Sequence, residues 1–291
     1  MKYLRIPIFL ILGVAILVSA CREEEPCIET TWYEDADSDG LGNPAVSQLA
    51  CEQPEGYVAN NSDLSDAGGV LTPLSAFDEF NSDAVSISFD GNEITIESNG
   101  VPNHTSPYWD SLSPLHIDPV VASRLTPGGI GPGSFTVTLP SAPELAATSS
   151  ATGLGPIGIA VSGAPIFNDT EGPNRPLEEM IAETMDYAGA HNGPSGYHYH
   201  IESADVPENT MVSHDDERLV GIMADGFLIY GRREMDGSYP TDLDESGGHW
   251  GVTPHSDGVE IYHYHIINEY YLADIIVLFG GDLQGTPNDI F

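Results

Sequence analysis

The segment Tyr197-His198-Tyr199-His200 returns later in the chain as Tyr262-His263-Tyr264-His265. Imidazole is the commonest metal-ligating side chain. On an extended strand, side chains two residues apart share a face and lie about 7 Å from each other. His198 and His200 therefore share one face, with Tyr197 and Tyr199 on the other, and His263 and His265 repeat the arrangement. A strand carrying H-x-H offers two imidazoles to one ion. Each copy is also preceded by D-x-x-G-x-H, running from Asp186 to His191 and from Asp244 to His249. Each pair thus has a third imidazole within reach of a glycine loop. Three histidines and an open position describe a catalytic zinc site, and imidazole-rich sites also take copper, iron or nickel. Asp186 and Asp244 are candidates for ligand, general base or support of a histidine ring.

Two arrangements satisfy this pattern. Each repeat builds its own site, or both H-x-H strands surround a single four-histidine site. A third reading needs no metal: Tyr-His stripes stack and hydrogen-bond within a β core. The chain has 10 histidines, and eight of them lie between His191 and His265, a concentration that favours a metal.

These residues need strands to position them. Ala84 to Phe89 alternates apolar and polar, Asp90-Gly91-Asn92 turns, and Glu93 to Ser98 alternates again, which is a hairpin pattern. Ser134 to Leu139 repeats the theme. Ile157 to Ser162, Leu219 to Met223 and Ile276 to Phe279 are further strand-like runs. Pro176 to Met185 is the one stretch with a helical pattern. With 31 Gly and 22 Pro punctuating the chain, the expectation is a mainly β fold. It is a sandwich-like domain with one short helix over residues 79–291.

The N-terminal part reads differently. A short basic start, the apolar run Ile6 to Val18 and small residues before Cys21 describe an export signal over residues 1–20. The apolar run is shorter than the roughly 20 residues of a spanning helix. Residues 21–78 form an acidic stalk with few aliphatic residues, unable to bury a core unaided. Within it, Asp35-Ala36-Asp37-Ser38-Asp39-Gly40 spells D-x-D-x-D-G, alternate carboxylates that suit calcium. Cys27 and Cys51 flank this loop, and an exported setting permits a disulfide between them. Lys2 is the sole lysine, and the chain carries 45 Asp plus Glu against 8 Lys plus Arg. Such a charge repels nucleic acid. No G-x-S-x-G elbow or phosphate-binding glycine loop is present.

Four resemblances add to this reading. Leu17-Val18-Ser19-Ala20-Cys21 resembles the bacterial lipobox, which implies diacylation of Cys21 and membrane attachment through lipid. Arg22-Glu23-Glu24-Glu25 resembles the acidic tag that sends some lipoproteins to the outer face of the outer membrane, though an acidic linker reads the same way. The acidic loop is similar to thrombospondin type 3 calcium loops, which borrow carboxylates from a following segment. That similarity implies Asp63 and Asp66 beside Asp35, Asp37 and Asp39. The repeated Tyr-His-Tyr-His, Ile222 to Gly231 and Ser98 to His104 together resemble the YHYH domain family over roughly residues 80–285. The resemblance implies an exported domain, brings no reaction with it, and adds His104, Asp225 and Tyr230 as candidates. For Asp225 and Tyr230 the plainer reading is turn chemistry and packing.

The functional expectation is a surface lipoprotein whose histidines bind a transition metal, for sequestration or for metal-dependent hydrolysis. The alternative is an adhesion or glycan-binding module in which tyrosines stack on sugar.

Overall fold

The computed structural model describes residues 29–35, 42–61, 71–119, 124–173, 175–202, 215–272 and 275–291. Strands β1 (Thr30–Glu34), β2 (Asn43–Ala50) and β3 (Tyr57–Val58) form a small sheet in the order β2-β1-β3. The acidic segment thus carries strand structure of its own, and Cys51 is disulfide-bonded there. A 3-10 helix, Leu74–Glu79, follows.

The alternating segments form the expected hairpin. Strands β4 (Val85–Asp90) and β5 (Glu93–Ser98) pair antiparallel, Val85 opposite Ser98 and Asp90 opposite Glu93. The intervening turn needs a left-handed residue, which Gly91 supplies at φ 61°. Strand β6 (Phe135–Pro140) joins on the other side of β5. Strand β7 (Leu145–Ser150) then leads into the central sheet.

That sheet contains both histidine motifs. Its first half comprises β8 (Gly158–Ala160), β9 (Pro165–Ile166), β12 (Ala190–Gly193) and β13 (Gly196–Tyr199). Between β9 and β12 lie the short pair β10 (Thr170–Glu171) and β11 (Arg175–Pro176) and helix α1 (Glu179–Ala182). The second half comprises β14 (Leu219–Met223), β15 (Leu228–Tyr230), β16 (Gly248–Val252) and β17 (Glu260–His265). The strand order is β12-β13-β9-β8-β14-β15-β17-β16. Each half is a hairpin whose second strand runs parallel to the YHYH strand, which in turn pairs antiparallel with an edge strand. The halves meet where β8 and β14 pair antiparallel. This is a pseudo-two-fold axis perpendicular to the sheet, and it makes the sequence repeat structural. The last strand, β18 (Leu283–Gly285), pairs with β7.

Apolar layers cover both faces. Ile159, Ile222, Leu228 and Tyr230 pack against Ile94, Ile96, Val137 and Leu139 of the hairpin sheet, with Ala76 and Phe77 of the 3-10 helix. On the opposite face Ile166, Tyr199, Met223, Ile229 and Tyr264 join Tyr108, Leu278 and Phe279. The fold is mainly β and sandwich-like, as expected.

Two expected elements differ. The helical pattern from Pro176 to Met185 yields only Glu179–Ala182. Pro176 is taken into β11, and the Thr184 hydroxyl donates to the Ile181 carbonyl at 2.6 Å, closing the last turn. Ile276 to Phe279 is not a regular strand. It straps the end of β13 through Leu278 N–H to His200 O at 2.9 Å and Glu202 N–H to Ile276 O at 2.8 Å.

Candidate metal centres

The repeat builds two four-residue clusters: Glu171 with His191, His198 and His200, and Glu234 with His249, His263 and His265. In each, one nitrogen or oxygen per residue lies within 4.8 Å of the others. All six histidines are buried. The register explains the grouping. His191 sits opposite His198, and His249 opposite His263, while the second histidine of each motif shares its neighbour's face. The YHYH strands are separated by five strand spacings, or roughly 24 Å. Among the described residues there is therefore one cluster per repeat and no four-histidine site shared by the two motifs.

Hydrogen bonds orient every ring the same way. The Nδ1 atoms of His198 and His200 face the carbonyls of Gly196 at 2.8 Å and Asn168 at 2.6 Å. Those of His263 and His265 face the carbonyls of Ile261 at 3.0 Å and Gly231 at 2.6 Å. A carbonyl only accepts, so these Nδ1 atoms carry the proton. His191 Nδ1 lies 2.8 Å from the Thr184 hydroxyl, whose own proton goes to Ile181, so His191 donates as well. His249 Nδ1 donates to Asp242 Oδ1 at 2.9 Å. In the neutral rings, six Nε2 lone pairs then converge on two points.

Among the described residues, no donor answers those lone pairs. His263 Nε2 is 3.3 Å from His249 Nε2 and 3.0 Å from His265 Nε2. Glu171 Oε1 is 2.9 Å from His191 Nε2 and 3.0 Å from His200 Nε2, yet these three buried atoms have no hydrogen-bond partner of acceptable geometry. Glu234 Oε1 is 3.3 Å from His249 Nε2. Acceptors this close repel unless a proton or a cation lies among them. Burial, aided by neighbouring imidazoles, pushes His198 and His263 down to about 3, and burial pushes His265 down to about 4, so neutral pH does not protonate these rings. Burial alone would raise the Glu171 carboxyl. The neighbouring His191 and His200 outweigh it and hold Glu171 well below the ordinary range.

The distances fit a metal. Bonds of about 2.0–2.1 Å in a tetrahedron set ligand atoms about 3.3 Å apart, close to the spacings around His263 and His249. Three imidazoles and one carboxylate suit zinc, copper or iron rather than calcium or magnesium. Glycine makes room for the rings. A Cβ on Gly193 would lie 2.7 Å from His198 Cε1, and one on the equivalent Gly251 would lie 3.2 Å from the Cε1 atoms of His249 and His263.

The other candidates, Tyr230 excepted, occupy the opposite face. Asp186 accepts from Tyr197 at 2.6 Å, from Ser106, and from the amides of Ala188 and Ala190. Asp244 accepts from Tyr262 at 2.6 Å and from the amides of Ser246 and Gly248. Each aspartate shapes the glycine loop and locks a motif tyrosine; neither holds a histidine ring. His104 Nε2 meets the Tyr199 hydroxyl at 2.6 Å on this same face, and burial lowers its pKa. Asp225 accepts from Tyr264 at 2.6 Å and from the Gly285 amide at 3.0 Å, in a turn role. Tyr230 lies on the histidine face, its ring 5.4 Å from that of His263 and its hydroxyl bonded to Thr253 and His255.

Glu171 and Glu234 escaped the sequence reading. A signal existed: Ile166-Phe167 and Ile229-Tyr230 each precede a glutamate at the same distance, Ile-aromatic-x-x-x-Glu. Asp35 follows β1, whereas Asp37, Asp39, Asp63, Asp66, Cys21 and Cys27 lie outside the described residues.

No curated protein and no solved structure matches the chain. The model of a family described as YHYH protein matches residues 136–241. The matched span contains the whole first cluster, the β14–β15 hairpin and Glu234, and it supports the YHYH family for this part of the chain.

Proposed function

We propose that this domain is a two-centre transition-metal binder, with Glu171, His191, His198 and His200 at centre one and Glu234, His249, His263 and His265 at centre two. The observation that carries the reading is the pair of buried Nε2 atoms of His263 and His265. They lie 3.0 Å apart with both Nδ1 protons committed to carbonyls. A cation between them makes that approach favourable at neutral pH, where burial keeps these two rings unprotonated. Binding comes before hydrolysis in this reading, because the expected bases Asp186 and Asp244 are committed to tyrosines and loop amides on the other face. The glycan reading has less support: the four motif tyrosines are buried and offer no stacking surface.

The setting is part of the proposal. The Leu17 to Cys21 segment supports a lipid-anchored protein, Arg22 to Glu25 supports its placement at the outer surface of the cell envelope, and D-x-D-x-D-G supports a calcium-ordered stalk. The test is elemental analysis of the protein from residue 22 onward, purified without chelator or histidine tag. Close to two equivalents of zinc, copper or iron per chain is expected. A chain that takes up none of these on reconstitution rules the reading out.

A further inference from the structure

The two centres match ligand for ligand, but the hydrogen-bond partners of their rings differ in charge at one position. In the pseudo-two-fold superposition Thr184 corresponds to Asp242, each seven residues before the edge-strand histidine. His191 donates its Nδ1 proton to a neutral hydroxyl, whereas His249 donates to a carboxylate. A carboxylate behind an imidazole makes Nε2 a stronger donor and adds negative charge close to the ion. Such partners are worth about 10–100-fold in metal affinity. Asp236 stands near Glu234 as well, adding to the negative field at centre two.

We propose that the centres are unequal, with centre two retaining its metal and centre one exchanging it. The chain would then pair a resident divalent transition cation with a second that it loads and releases. Asp242 acts as a positioning and charge-supplying residue, not as a ligand. The inference rests on the metal-binding reading of both clusters.

The experiment is a Co2+ titration of metal-stripped protein, followed through the ligand-field absorption. Wild type should bind two ions in two steps separated by about tenfold or more. His263→Ala should abolish the tight step and His198→Ala the weak one. Asp242→Asn keeps an acceptor but loses the charge, and should weaken the tight step about tenfold while leaving the weak one in place. Should that variant fold poorly, Thr184→Asp supplies the converse, a strengthened weak step. Two indistinguishable steps in wild type, or a tight step that disappears in His198→Ala, would overturn the inequality while leaving metal binding intact. Absence of any Co2+ uptake would instead remove the binding reading itself.

Discussion

His263 and His265, two residues apart on β17, hold their Nε2 atoms 3.0 Å from each other while both Nδ1 atoms face carbonyl oxygens. Strand geometry alone would leave such side chains about 7 Å apart. The Ile261 and Gly231 carbonyls tilt the rings together. A strand bearing H-x-H thereby becomes half of a chelating set.

Removing either pair should remove one ion and not both. His198→Ala with His200→Ala is expected to lower bound metal from about two equivalents to about one, and His263→Ala with His265→Ala to do the same. Five strand spacings separate the motifs, too far for a shared ion. Mass spectrometry of the purified variants, with circular dichroism as a folding control, checks this. Loss of both ions in one variant would argue for a single site.

Gly193→Ala should empty centre one without touching centre two. The added Cβ would lie 2.7 Å from His198 Cε1, closer than such atoms approach, so the ring must move. The expected outcome is one equivalent of metal lost and a thermal midpoint little changed for the metal-free protein.

Tyr264→Phe should cost stability while sparing the metal. The lost hydroxyl donates to buried Asp225 at 2.6 Å and accepts the Gln284 amide at 2.7 Å, tying the C-terminal segment to the sheet. Leaving these groups underpaired costs about 1–3 kcal/mol. Urea unfolding measures the loss, and metal content should remain at the wild-type value.

The metal-free protein should lose stability as pH falls below about 6.5. An unfolded histidine titrates near that value, while burial holds folded His198 and His263 down to about 3 and His265 down to about 4. Between these limits the unfolded chain binds more protons, so their contribution is full above pH about 6.5 and drains away towards pH about 3. Buried Asp186 and Asp225 have raised pKa values and act in the opposite sense at the acidic end. A His198→Ala/His263→Ala variant isolates the histidine part. Its thermal midpoint between pH 7 and pH 4 should decline less steeply than wild type, and an equal slope would count against the assigned pKa values.

The sequence by itself determined the pieces that depend on local periodicity. Alternation over Val85 to Ser98 specifies a hairpin, and Leu219 to Met223 forms the strand that its branched, apolar residues imply. The doubled Tyr-His-Tyr-His named four of the six histidines, because H-x-H has a meaning on any strand, and the repeated D-x-x-G-x-H named His191 and His249. Tertiary structure decided what those letters could not. Whether two motifs make one site or two depends on strand order, and β9, β8, β14 and β15 stand between them. Glu171 and Glu234 join the clusters from segments following β9 and β15; their shared Ile-aromatic-x-x-x-Glu spacing marks them as equivalent, but only the fold brings them to the histidines. Asp186 and Asp244 are close to the histidines along the chain, yet the glycine loops that carry them hold them on the tyrosine face, where buried hydroxyls require acceptors. The short helix and the Ile276 to Phe279 strap yielded their local preferences to pairing with β10 and β13, since the fold must satisfy those backbone groups first.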